Sequence, residues 1–212
     1  MSGLIYKDLA LLAQRKSSLL LIMAIGVFMG FSMEGSFVVG YISMLSVIIS
    51  MSTISYDEFD NGYPFLPTLP ITRKLYVQSK YLFSIVAGAV GWLFGVLVYL
   101  LCSLVQGIPV TGDDLLSAVI MLPVFFLMLA LMLPLQLKYG AEGSRVVIMV
   151  IGGCVAVIFF LGRKIFPQGP KLPAFLTQAS DLTISAVFLA VAVATGILSY
   201  CFSVKIMEEK TF

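Results

Sequence analysis

Six stretches of this chain contain no Asp, Glu, Lys or Arg: residues 17–33, 35–56, 81–112, 115–137, 146–162 and 182–204. A helix needs roughly 20 apolar residues to cross a hydrocarbon core ~30 Å thick. An Arg, Lys or Asp at its centre costs about 2.5–3.5 kcal/mol. Charge-free runs of this length therefore read as membrane spans, and few other structures accommodate them. The first and fifth are the shortest, and basic residues beside each can snorkel to the headgroups. Composition agrees: 60% of the residues are hydrophobic and 11% charged, where a soluble domain carries about 25% charged residues. The mean hydropathy is +1.06. The expected fold class is an all-α membrane protein with six transmembrane helices. It forms one domain over 1–212, with an interfacial helix at 1–16 and spans at 17–33, 35–56, 76–106, 115–137, 146–162 and 182–204.

Several chemistries are missing from the residues. There is no histidine, which removes histidine metal sites, Ser-His and Cys-His nucleophile pairs and histidine proton relays. Cys102, Cys154 and Cys201 lie inside apolar runs and read as small hydrophobes. The dipeptide Gly-Lys never occurs, so there is no G-x-x-x-x-G-K phosphate loop. The spans hold no carboxylate for a proton path, and a sodium-coupled carrier would call for broken helices that the sequence does not announce. An intramembrane enzyme is disfavoured for the same lack of reactive groups. No catalytic residue, metal ligand or bound cofactor is assigned, and a net charge of +2 is too small to imply nucleic acid. No cleavable signal is read at the N-terminus, since no A-x-A-like site follows the first apolar run.

Six spans put both termini on one side. Lys7, Arg15, Lys16, Arg73, Lys74, Lys80, Lys138, Arg145, Lys205 and Lys210 share it, and Arg163, Lys164 and Lys171 fall opposite. Ten against three places the termini in the cytoplasm of an inner or plasma membrane. Before the first span, Ile5, Leu9 and Leu12 share a helical face that Asp8 and Arg15 border. This is the pattern of a short interfacial helix, with one blemish.

The same side receives "SYDEFDNGYPFLPTLPITRKLYVQSKY", residues 55–81. Pro64, Pro67 and Pro70 end the second span near Tyr56, and Asp60-Asn61-Gly62 is turn chemistry. Thr72 can cap a helix starting at Arg73. That helix could continue to about Val105, and its first turns should carry Arg73, Lys74 and Lys80 into the cytoplasm. A calcium loop fails for want of alternating ligands, and a proline-rich ligand is a weak reading. A solvated loop competes with a docking surface, but Tyr56, Phe59, Tyr63, Phe65, Leu66 and Leu69 are more apolar bulk than a water-facing loop needs. A chain with no energy source of its own would borrow work from a protein docked here.

These residues resemble the small bacterial type 2 ABC export permeases. The matching motifs are Lys7-Asp8-Leu9, then Tyr56-Asp57-Glu58 after the second span, then Leu69-Pro70 with Thr72-Arg73-Lys74, and Ser79-Lys80-Tyr81. The similarity is sharp over roughly residues 1–85 and rests on span count beyond. It implies a permease subunit of an ATP-driven exporter, with a second permease subunit as partner in a homodimer and a separate ABC ATP-binding subunit holding ATP and Mg. Tyr56, Asp57, Glu58, Phe59, Pro67, Pro70, Arg73 and Lys74 would form the coupling region. Peptides or other amphipathic compounds are the implied substrates. From another class, a non-transporting scaffold or immunity protein that binds a toxin or sensor is the alternative.

Within the spans, Ser43, Ser46, Ser50 and Thr53 make one hydroxyl stripe. It reads as interhelical hydrogen bonding or as a translocation path or dimer interface. Ala87, Gly91 and Gly95 repeat small-xxx-small, a signature of close helix packing, as do Gly26 and Gly30. Met121, Met128 and Met132 read as core filler; Trp92 has an N–H to satisfy. Residues 163–180 form an outer segment, a loop or a lid. Lys138, Gly140, Glu142, Gly143 and Arg145 form a short inner loop, a solvated turn or a second partner contact.

Overall fold

The computed structural model describes residues 2–14, 16–33, 35–59, 72–165 and 181–210, and nearly all of these are helical. The elements are α1 (Ser2–Gln14), α2 (Lys16–Ser32), α3 (Gly35–Phe59), α4 (Arg73–Gln106), α5 (Gly112–Ile165) and α6 (Asp181–Glu209). Pro64, Pro67 and Pro70, and residues 166–180, lie outside the described residues.

Local chemistry accounts for the boundaries. Thr72 caps α4 through its hydroxyl, which accepts from the Leu75 N–H at 3.2 Å. Gly107 closes the helix in the left-handed conformation (φ 69°) that glycine takes without steric cost. Between these caps α4 runs for 34 residues, on the order of 50 Å. At the start of α5, Thr111 and Asp114 satisfy each other's backbone N–H groups, at 2.9 and 3.4 Å, as a capping box.

Among the described residues four helices are long and apolar enough to cross a membrane: Phe37–Phe59, Arg73–Gln106, Gly112–Cys154 and Ser185–Glu209. The pair Gly3–Gln14 and Leu19–Ser32, bent by 70°, makes a fifth when taken as one broken span. The windows 115–137 and 146–162 fall on the single element α5. Its 54 residues would reach roughly 80 Å if straight. One residue interrupts it: Gly140, at φ 73° and ψ −175°. The expected inner loop around 138–145 is therefore helix on both sides of one non-helical glycine.

The core forms where α3 packs on α4 and α5, and α5 on α6. Phe125, Leu129, Leu133 and Leu137, four apart, put one buried stripe of α5 against Ile54 of α3 and Tyr76 of α4. Close approach of α3 and α4 depends on glycine. A Cβ at Gly95 would lie 3.0 Å from the Val39 Cα, and one at Gly91 would overlap the Ser46 hydroxyl. Gly88, which the sequence pattern passed over, has no room either, with Phe125 at 2.9 Å.

Candidate functional site

The charged residues gather where α1, the end of α3 and the start of α4 meet. Asp8 is fully buried, Lys80 is 1% exposed and Asp57 8%. The Lys80 ammonium lies 2.7 Å from Asp8 Oδ1 and 2.9 Å from Asp57 Oδ2, and it donates to Thr53 Oγ1 at 3.1 Å. Lys7 pairs with Asp57 from the half-exposed side, and Tyr76 donates its hydroxyl to Asp57 Oδ2 at 2.9 Å. Two ammonium groups and two carboxylates sum to zero, which lets burial proceed: a buried charge must be paired and hydrogen-bonded. Asp8 Oδ2 has no hydrogen-bond partner among the described residues, so the cluster as described is neutral without being fully satisfied.

Lys80 is thus a correction. Its side chain does not project into solvent from the first turns of α4, because α1 covers it. The blemish on α1 has the same explanation: Asp8 borders the apolar side because its charge is answered from α4.

A second junction surrounds Gly140. In a continuous helix the Ala141 N–H would donate to the Leu137 carbonyl. The break at Gly140 frees both groups, and both find partners elsewhere. Ala141 N–H donates to Glu58 Oε2 at 2.7 Å, and Lys210 Nζ donates to the Leu137 carbonyl at 3.0 Å. Burial pushes the Lys210 ammonium below its ordinary range, and the nearby Glu58 charge opposes that shift. Gly140 also leaves space for its cap, since a Cβ there would overlap the Glu58 carboxylate. Arg73 closes the far end of α6 by donating to the Met207 and Glu208 carbonyls, at 3.2 and 2.6 Å, where a helix C-terminus favours a cation.

Of the residues expected in the coupling region, Asp57, Glu58 and Arg73 are therefore engaged with this chain's own helices. Tyr56 is partly buried, while Phe59 and Lys74 are exposed; Pro67 and Pro70 lie outside the described residues. Sequence reasoning met Lys7, Asp8 and Lys80 within motifs and Thr53 within the hydroxyl stripe without bringing them together, and it assigned no role to Tyr76. The signal for Lys7, Asp8 and Lys80 was charge inside or beside apolar helices together with the motifs around them, and for Thr53 its place in the stripe. Tyr76 carried none.

The hydroxyl stripe differs from the hydrogen bonding expected between helices. Ser43, Ser46, Ser50 and Thr53 donate to carbonyls of their own helix, Val39, Ile42, Val47 and Ser50, at 2.6 to 2.9 Å. Ser43, Ser50 and Thr53 are buried within this one chain. Thr53 also links helices, by accepting from Lys80 of α4; further hydroxyls that link helices lie elsewhere. Pro134 cannot donate to the Ala130 carbonyl, and Ser199 of α6 does so at 2.5 Å. Tyr81 of α4 joins Ser199 and Ser203 at 2.6 and 2.8 Å. The Trp92 indole N–H finds the Ala118 carbonyl at 2.8 Å, and Gln136 ties α5 to the Met51 carbonyl and Ser55 of α3. Among the described residues no cluster of His, Cys, Asp and Glu could hold a metal ion.

A family model described as ABC-2 family transporter protein matches residues 3–208. No curated protein and no solved structure shows a significant match.

Proposed function

From the premise that this chain belongs to the ABC-2 transporter family, as a non-catalytic, multi-pass membrane subunit whose family implies an ATP-binding partner, we propose that it is the permease of an ATP-driven exporter. Peptides or other amphipathic compounds are its cargo, ATP and Mg are held by the partner, and two permease copies pair. The domain spans 1–212 with six spans and cytoplasmic termini; the break at Gly140 lets α5 count as two of them. The coupling region comprises Tyr56, Asp57, Glu58, Phe59, Pro67, Pro70, Arg73 and Lys74. Within it the roles divide. Asp57, Glu58 and Arg73 position the segment, and Phe59, Lys74 and the prolines meet the ATPase.

One observation carries this reading. Both flanks of segment 60–71 are tied to the same charge cluster, Asp57 on one side and Tyr76 and Lys80 on the other, with Lys7 and Asp8 of α1 closing it. A displacement of the segment by a docked ATPase would reach α1, α3 and α4 together. A translocation path or dimer contact through Ser43, Ser46, Ser50 and Thr53 requires α3 to separate from its neighbours during transport.

The test uses the full chain with its three cysteines replaced by alanine and Thr68→Cys added. An impermeant thiol reagent should label it only from the cytoplasmic side, and the purified chain should hydrolyse no nucleotide. Phe59→Ala and Lys74→Glu should weaken association with the ATP-binding subunit at unchanged thermal stability. Labelling of Thr68→Cys from outside the cell would overturn the proposal. A stable, inserted chain that never associates with such an ATPase would favour the scaffold or immunity alternative instead.

A further inference from the structure

A cavity of about 370 Å³ lies under the bend between α1 and α2. Leu9 and Leu12 of α1 and Leu19, Ile22 and Met23 of α2 form one wall; α3 and α4 form the other, with Phe83, Ala87 and Phe94 among its residues. Among the described residues Ser46 is the one hydroxyl on its surface, and that hydroxyl is already spent on the Ile42 carbonyl. The described lining thus offers a ligand apolar contact and no free polar group. Its rim is open on the lipid-facing side, where Met23, Val86 and Val90 are 42%, 52% and 58% exposed. An apolar cavity of ~150 Å³ already takes up benzene, and a void leaves its lining atoms without partners. In a bilayer the hydrocarbon available to fill this one is an acyl chain.

A second recess shares Leu9 with it and is further lined by Ala10, Ala13 and three residues with polar ends, Tyr6, Gln14 and Lys16. One side chain, Leu9, therefore separates hydrocarbon space from a hydroxyl, an amide and an ammonium, the groups that suit a phosphate. We propose that the α1–α2 bend holds one anionic phospholipid, an acyl chain in the cavity and the phosphate at Lys16. This site is independent of the transport reaction, since it needs only the membrane setting.

The test is native mass spectrometry of the full chain, extracted in mild detergent from vesicles of phosphatidylglycerol and phosphatidylcholine with matched chains. One phosphatidylglycerol per chain should survive delipidation, retained at least tenfold over phosphatidylcholine. Ala87→Trp, which fills the cavity, should reduce retention of either lipid at least tenfold. Lys16→Gln, at an exposed position that leaves the core intact, should abolish the preference for the anionic lipid while the cavity still takes a chain. Equal retention by Ala87→Trp, with unchanged helicity and elution volume, would overturn the proposal. So would an undiminished anionic preference in Lys16→Gln, which decides the matter even where Ala87→Trp fails to fold.

Discussion

Replacing Lys80 by methionine keeps the length and apolar stem of the side chain and removes its charge. The cluster holds two ammonium groups and two carboxylates, so Lys80→Met leaves a net buried charge of minus one. Asp8 loses its 2.7 Å partner and keeps only Lys7, at 3.8 Å. Asp57 retains Lys7 and the Tyr76 hydroxyl, so the damage falls chiefly on Asp8, which is fully buried and already has one oxygen without a partner among the described residues. Removing one member of a buried pair costs about 3–5 kcal/mol. For a chain of this size that corresponds to a fall in Tm of roughly 6–20 °C. Asp8→Leu combined with Lys80→Met returns the cluster to neutrality. It should recover at least half of the loss, because well-packed apolar replacements of a buried pair are often neutral or stabilising. The assay is thermal unfolding in detergent, followed by fluorescence-detected size exclusion, on the parent, both single variants and the double. A Lys80→Met chain within about 1 kcal/mol of the parent, or a double variant whose loss equals the sum of the singles, would refute the claim that these charges are coupled and buried.

The Gly140 junction makes a separate prediction. Glu58→Ala removes the cap on Ala141 and should cost about 0.5–2 kcal/mol. Gly140→Ala should cost about 1–3 kcal/mol, from the positive φ and the crowding of the Glu58 carboxylate; thermal unfolding checks both, and a neutral Gly140→Ala would show the break is not held as described. At the α3–α4 contact, Gly95→Leu should force the helices apart and cost about 1–3 kcal/mol or more. A cysteine crosslink between the two helices near Val39 should then lose yield, whereas an unchanged yield would place the contact elsewhere.

The sequence by itself determined the solvent and the helices. Exclusion of charge from long apolar runs leaves only lipid as the surrounding medium, and in lipid the backbone must satisfy itself within helices. The Thr72 cap and the run to Gln106 follow from neighbours in sequence, which is why α4 was legible from end to end. The family motifs were legible as motifs, and the family match over 3–208 agrees with the resemblance they carried. The tertiary structure decided what the charges do. Lys80 and Asp8 are 72 residues apart in the chain, and no local pattern says that one answers the other. Glu58 and Lys210 repair a helix break from far before and far after it in the sequence, and Ser199 takes the carbonyl freed by Pro134, because a buried polar group is satisfied by whatever the fold brings near it. Helix existence is written in local hydropathy; pairing of polar groups between helices is written only in the packing.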